Sequence, residues 1–134
     1  MSAYDTPIWQ GRSDAEEGAG PWRWHDVMRP WTADGTADVV VLGFACDEGV
    51  RRNQGRTGAA AGPAALRAAL ANLPLNGLTA LGDAGDIGTM PPDAAARPLE
   101  LLQTQYAEKV AQIMGTGALP VGLGGGHEIA WGSW

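Results

Sequence analysis

Apolar residues along the chain fall into three short runs. Residues 37–45, ADVVVLGFA, form a β-branched and apolar run without polar alternation, which is typical of a strand buried on both faces of a parallel sheet. Residues 118–123 form a second apolar run. Residues 78–87 predict a further short strand, which Gly82 and Gly85 interrupt. The pattern therefore predicts three strands.

Segments with helical spacing alternate with these strands. Between residues 94 and 115 one apolar stripe recurs at steps of three and four residues; it consists of Leu99, Leu102, Tyr106, Val110 and Ile113. A second helix is predicted to begin at Pro63, because Leu66, Leu70 and Leu73 follow it at helical spacing. The final segment, HEIAWGSW, predicts a third helix.

Strands that alternate with helices in this way imply right-handed βαβ units and a parallel sheet with helices on its faces. The expected fold class is therefore α/β. Functional groups in such folds lie at the carboxyl ends of the strands. We accordingly expect residues 46–62, 83–86 and 124–128 to share one edge of the sheet.

The first 35 residues show neither a helical nor a strand period. Their largest apolar side chains are the tryptophans Trp9, Trp22, Trp24 and Trp31, which are costly to leave in water. We therefore expect residues 1–35 to form an irregular arm that lies over the domain or over a neighbouring subunit. Residues 36–134 are expected to form the α/β domain.

Composition excludes several classes of protein. Nine basic residues against fifteen acidic ones give a net charge of −6, and the basic residues form no cluster of the kind that binds nucleic acid. A single cysteine cannot form an internal disulfide, and the chain begins without the features of a signal peptide. No apolar run approaches membrane-spanning length. We expect a soluble cytoplasmic protein without nucleic-acid or membrane partners.

His127 follows three glycines directly after a predicted strand. Glycines permit a sharp bend and close approach, and a neutral imidazole in such a place is a good ligand for a transition metal. The alternative is an ordinary polar residue near the start of a helix. Nucleotide-binding fingerprints fail here, and so does H-E-x-x-H, because Trp131 stands where the second histidine belongs.

The loop DEGVRRNQGRTGAAAGP carries an unusual set of polar residues among glycines. Arginine pairs bidentately with carboxylates, so the loop is a candidate for recognising an acidic, amino-acid-like substrate. The candidate contacts are Arg51, Arg52, Asn53 and Arg56. The alternative is a solvated loop with internal ion pairs.

Three further residues have two interpretations each. On one interpretation, Asp83 and Asp86 in GDAGDIG have a chemical role, as metal ligands or as a general acid/base pair. On the other, they are turn formers. Cys46 is either a nucleophile served by His127 or a small buried residue.

Several of these segments together resemble a known family. WQGRSD and RWHDV, then GFACDEGVRRNQGRTGAAAGPAALR and GLGGGHEIAWG, closely resemble the amino-terminal half of the formimidoylglutamases, a branch of the arginase-like ureohydrolases. The Gly-Gly-Gly-His-Glu segment matches the first metal motif of that family. The DEGVRRN loop distinguishes formimidoylglutamases from arginases and agmatinases.

The resemblance implies a three-layer α/β/α sandwich around a parallel sheet, present here only in part. It implies hydrolysis of N-formimidoyl-L-glutamate to L-glutamate and formamide, in histidine degradation, by a pair of manganese ions. His127 is the one metal ligand that the motif transfers to this chain. The family also implies a homo-oligomer.

The chain departs from the family in one respect. The acidic D-x-H-x-D and D-x-D motifs that supply the remaining metal ligands do not occur in it. We therefore expect a fragment that is inactive alone and prone to associate through an unpaired strand edge. The competing hypothesis is a non-catalytic ureohydrolase-like module that binds a ligand or a partner chain.

Overall fold

The computed structural model describes residues 9–88 and 99–134. Its centre is a parallel sheet of four strands, β1 (Met28–Pro30), β2 (Val39–Phe44), β3 (Leu81–Ile87) and β4 (Leu119–Gly124). The strands lie in the order β1-β3-β2-β4, and every pairing is parallel. The predicted α/β fold with a parallel sheet is confirmed.

Five helices accompany the sheet in the described residues: α1 (Trp24–Val27), α2 (Glu48–Arg52), α3 (Gly62–Leu70), α4 (Leu99–Gly115) and α5 (Ile129–Ser133). Short 3-10 turns lie at Ala15–Glu17 and Ala59–Ala61. None of the helices in the described residues is long and apolar enough to cross a lipid bilayer.

Strand β2 is central because its side chains are apolar on both faces. Val40, Leu42 and Phe44 pack with the buried stripe of α4 in one core cluster. Val41 points to the opposite face and packs in a second cluster, against which Leu70 of α3 is partly buried. Alternation along a strand sends successive side chains to opposite faces, so a continuous apolar run holds helices on both sides of the sheet.

The predicted stripe of α4 is confirmed. Leu99, Leu102, Tyr106 and Ile113 are buried, and the ring of Tyr106 lies edge-on to that of Phe44 with 5.5 Å between centroids. Residues 94–98 of the predicted helix lie outside the described residues.

The helix predicted to begin near Pro63 is present as α3, which ends at Leu70. Leu70 is partly buried against the second core cluster, whereas Leu66 is 43% exposed. The buried residues of the helix are Pro63 and Arg67. Arg67 faces inward because its charged side chain finds partners on β3.

Within the segment that we expected to be irregular, residues 24–30 are regular. They form α1 and the edge strand β1, which pairs with β3. A three-residue strand is too short to show a period, and its proline is compatible with an edge position. Trp9 and Trp24 pack against the second core cluster, and Trp31 packs against the first. These tryptophans of the arm therefore lie over the domain.

Strand β4 forms the other edge of the sheet and is apolar. Within residues 9–88 and 99–134 no strand pairs with its outer side, and Leu119 is 62% exposed. Trp131 on the adjacent α5 is equally exposed. An unpaired apolar edge is a template for association with another chain.

We therefore predict that the 134-residue chain self-associates through β4. Leu119→Lys should raise the monomer fraction in size-exclusion chromatography, because a charge on the edge opposes strand pairing. Leu101→Lys is the matched control, since Leu101 is an exposed leucine on α4. A sharp monomer peak and a cooperative thermal transition for the unchanged chain would contradict this expectation.

Candidate functional site

The loops that follow β2 and β4 meet at the carboxyl edge of the sheet. Phe44 and Gly124, the last residues of these strands, are paired in register. Residues 45–61 follow β2 and include α2, whereas Gly125 to Glu128 follow β4. The parallel register therefore brings the two loops together, as expected from the sequence.

The glycines before His127 bend the chain against the end of β2. Gly125 donates its N–H to the carbonyl of Ala59 at 3.2 Å, and Gly126 donates to the carbonyl of Cys46 at 2.7 Å. Gly125 has φ +64°, and a Cβ there would lie 2.0 Å from the carbonyl oxygen of Phe44. Both the conformation and the space require glycine at this position.

A cleft of about 460 Å³ lies beside this bend. His127 lines it and is itself exposed. Arg52 and Asn53 line it as well, so the structure brings together three of the predicted site residues. Arg51 and Arg56 do not line the cleft. The other lining residues are Gly49, Val50, Leu99 and Glu128.

Two of the predicted arginines are engaged in ion pairs. Arg51 pairs with Glu48 one turn earlier. Arg52 contacts Glu48 at 3.3 Å and Glu100 of α4 at 2.7 Å. The hydrogen bond from Arg51 lowers the pKa of the Glu48 carboxyl to about 2. The internal ion pairs that we considered as the alternative for this loop are therefore present.

Asp83 and Asp86 lie within β3 and not in a turn. Val41 pairs with Asp83 and Gly43 with Asp86, so β3 carries one extra residue and forms a bulge there. Gly85, at φ +79°, lies within it. The turn-like composition of this segment reflects that bulge.

Both aspartates pair with Arg67 of α3, which is only 3% exposed. The guanidinium makes two bonds of 2.9 Å to Asp83, one of 2.5 Å to Asp86 and one of 3.0 Å to the carbonyl of Gly85. Trp9 also donates its indole N–H to Asp83 at 2.7 Å. These contacts tie the bulge to α3 and favour a structural role for the two carboxylates.

Cys46 is buried in the first core cluster. Burial raises the pKa of its thiol, whereas a nucleophilic cysteine requires a lowered pKa and access to solvent. The structure therefore favours the small buried residue over the nucleophile.

The described residues do not form a complete metal site. No group of three His, Cys, Asp or Glu side chains that could hold a metal ion occurs in residues 9–88 and 99–134. A catalytic metal needs about three protein ligands. His127 therefore has no set of two further His, Cys, Asp or Glu ligands beside it among the described residues.

A larger cavity, of about 1170 Å³, lies between the arm and the beginning of β3. Its lining includes Asp14, Trp22, Arg29 and Leu81. None of the predicted site residues lines it, so the smaller cleft remains the candidate site.

Comparison with known proteins supports the resemblance found in the sequence. The arginase family matches residues 37–134. The chain belongs to this family. Because the match begins just before β2 and includes the loops after β2 and β4, it covers the whole candidate site of this arginase-family chain.

Among members of the arginase family, the chain is similar to formimidoylglutamases. The chain is 48% identical over 133 residues to formimidoylglutamase from Aromatoleum aromaticum, covering 97% of this chain and 39% of that protein. It is 49% identical over 130 residues to formimidoylglutamase from Chromobacterium violaceum, covering 97% and 40%. This arginase-family chain thus spans about two fifths of the length of the curated relatives it matches.

Solved structures show the same fold. Trypanosoma cruzi formiminoglutamase with Mn2+2 matches with a TM-score of 0.56 and 39% identity, over 67% of this chain and 31% of that one. The oxidised form with Mn2+2 at pH 6.0 matches with a TM-score of 0.58 and 36% identity, over 75% and 36%. The arginase-like fold is therefore present in part, as expected.

Sequence reasoning missed two residues at this edge of the sheet. Arg67 was overlooked because its partners are on another element, β3; a lone arginine in an alanine-rich helix, ahead of two aspartates, was the available signal. Glu128 was overlooked because its partner, Gly49, is 79 residues away in the chain.

We predict that Arg67→Met lowers the free energy of unfolding by about 3–5 kcal/mol, because it leaves the buried carboxylate of Asp83 without its counter-ion. Urea denaturation measures the change. Arg51→Met is the control and should cost far less, since Arg51 is exposed and its ion pair is screened by solvent. A loss at Arg67 as small as that of the control would show that the buried pair is not needed for stability.

We also predict that Arg51→Gln raises the pKa of Glu48 from about 2 towards its ordinary value of 4.5. Because folding lowers this pKa, the ion pair stabilises the fold above pH 4.5 and is lost as the pH falls towards 2. Carbon-13 NMR of the Glu48 carboxyl follows the titration. Arg56→Gln, the control, should leave the pKa unchanged; an unchanged pKa in Arg51→Gln would refute the assignment.

Proposed function

We propose that the chain corresponds to the amino-terminal part of a formimidoylglutamase, which hydrolyses N-formimidoyl-L-glutamate to L-glutamate and formamide in histidine degradation. The observation that carries the proposal is the cleft that combines His127 with Arg52 and Asn53. An imidazole beside a guanidinium and an amide suits a substrate that has both a hydrolysable C–N bond and carboxylates. The identity with formimidoylglutamases supports this substrate over others of the arginase family.

His127 is proposed as one ligand of a dinuclear manganese centre. Its imidazole is exposed at the cleft and available to a metal. The Mn2+ in the related Trypanosoma cruzi formiminoglutamase supports manganese. A bound pair of divalent ions makes water a better nucleophile near neutral pH.

Arg51, Arg52, Asn53 and Arg56 are proposed as contacts to the glutamate carboxylates. Arg52 already forms ion pairs with Glu48 and Glu100. A substrate carboxylate therefore has to compete with these two side chains for the Arg52 guanidinium. Arg56 has no ion pair among the described residues and is free to meet a carboxylate directly. Asn53 lines the cleft and can donate its amide N–H groups.

Composition and the family resemblance lead to further proposals about the whole protein. We propose that it is cytoplasmic and homo-oligomeric, and that it binds neither nucleic acid nor membranes. Residues 1–35 are proposed as the arm of an α/β domain that begins at residue 36.

The test uses a joined protein, in which residues 1–134 are followed by the part of the Aromatoleum aromaticum relative that this chain does not match. With manganese, the joined protein should release formamide and glutamate from N-formimidoyl-L-glutamate but should not hydrolyse arginine. The 134-residue chain should bind less than stoichiometric manganese and show no turnover, because its described residues contain no group of three side chains that could hold a metal ion.

His127→Ala in the joined protein should abolish turnover and lower the manganese content measured by mass spectrometry. His25→Ala is the control, because His25 lies in α1, outside the cleft. Turnover and full manganese occupancy in His127→Ala would refute the metal role. Substrate binding without turnover in the unchanged joined protein would favour the non-catalytic binding module.

A further inference from the structure

The carboxylate of Glu128 connects the two loops of the candidate site. Its Oε1 accepts the backbone N–H of Gly49 in α2 at 3.1 Å. Its own carbonyl accepts the side-chain N–H of Gln103 in α4 at 3.2 Å. Glu128 therefore lies between α2 and α4, directly after His127.

Helix α2 depends for its position on contacts with residues of other elements. It has five residues and none of them is buried, and so short a helix has little stability of its own. Asp47, at its N-cap, makes no capping hydrogen bond with its side chain. The Asp47 carboxylate instead accepts the N–H groups of Gly58 and Ala60.

Glu128 caps the N-terminus of α2 in place of Asp47. The first N–H groups of a helix have no partner within it, and a carboxylate there is favoured by the helix dipole. The N–H of Gly49 is one of these groups, and a residue 79 positions away satisfies it. The long-range cap fixes the start of α2 to the His127 loop.

Two glycines, Gly49 and Gly126, lie against the carboxylate of Glu128. A Cβ at Gly49 would lie 2.8 Å from Oε2 of Glu128, and one at Gly126 would lie 2.1 Å from the same atom. Glycine at these positions is therefore a consequence of where the carboxylate lies. A methyl group at residue 49 would push Glu128 out of place.

We propose that Glu128 is a positioning residue, which sets α2, and with it Arg52 and Asn53, at a fixed distance from His127. The hydrogen bond to Gly49 joins α2 to the His127 loop, whereas the ion pair between Arg52 and Glu100 joins it to α4. The consequence for substrate binding rests on the proposed function; the placement of α2 does not.

Hydrogen–deuterium exchange of the 134-residue chain in dilute solution tests the placement. Glu128→Ala should speed exchange in residues 49–53 about tenfold, which corresponds to the loss of one charge-assisted hydrogen bond. Glu128→Gln keeps an oxygen acceptor and should stay close to the unchanged chain. Glu108→Ala, an exposed glutamate on α4, is the control, and unchanged protection of β2 shows that each variant is folded.

Gly49→Ala supplies a second, independent test. Alone it should speed exchange in residues 49–53, because its methyl group displaces Glu128. Combined with Glu128→Ala it should add little further, because the two changes break the same contact. Fully additive effects, unchanged exchange in Glu128→Ala, or equal effects of Gln and Ala at residue 128 would overturn the proposal.

The joined protein separates this inference from the proposed function. Glu128→Ala there should raise the KM for N-formimidoyl-L-glutamate several-fold with little change in kcat and manganese content, and Glu128→Gln should restore it. A loss of kcat and manganese at constant KM would overturn the positioning role. If the unchanged joined protein has no activity, the proposed function fails, while the exchange measurements still decide the placement of α2.

Discussion

The candidate site depends on how closely the chain after β4 approaches the end of β2. At Gly125 the backbone comes so near the carbonyl of Phe44 that no side chain fits between them, and the next residue is hydrogen-bonded to Cys46. This approach places His127 beside the loop that bears the arginines. A larger residue at Gly125 would separate the two halves of the cleft.

Two polar contacts hold the elements around that approach. The buried guanidinium of Arg67 joins α3 to the bulge in β3, and the carboxylate of Glu128 joins α2 to the His127 loop. Both connect residues that are far apart in the chain. The first contact is buried and stabilises the fold, whereas the second lies at the cleft and sets its dimensions.

The sequence predicted those elements whose structure is determined by the pattern of apolar residues within the element itself. The unbroken apolar run of β2 indicates a strand buried on both faces, and the three- and four-residue spacing from Leu99 to Ile113 indicates a helix with one buried face. The cleft was predicted in part, because parallel strands bring their carboxyl ends to one edge whatever their exact register. For that reason His127, Arg52 and Asn53 were expected near one another, and the structure places them so.

Features that depend on distant partners were not predicted. Arg67 is buried because two aspartates on β3 face it, and leucine spacing in α3 carries no information about them. Strand β1 forms because the edge of β3 is available to it, and its three residues have no period of their own. The hydrogen bond from Gly49 to Glu128 forms only in the folded chain, where the loop after β4 lies beside the start of α2.

The most direct test of the account is the location of manganese in crystals of the joined protein, measured by anomalous X-ray scattering at the manganese absorption edge. The account predicts a peak within bonding distance of the His127 imidazole, at the cleft lined by Arg52 and Asn53. Manganese bound elsewhere, with the His127 imidazole free in solvent, would contradict it.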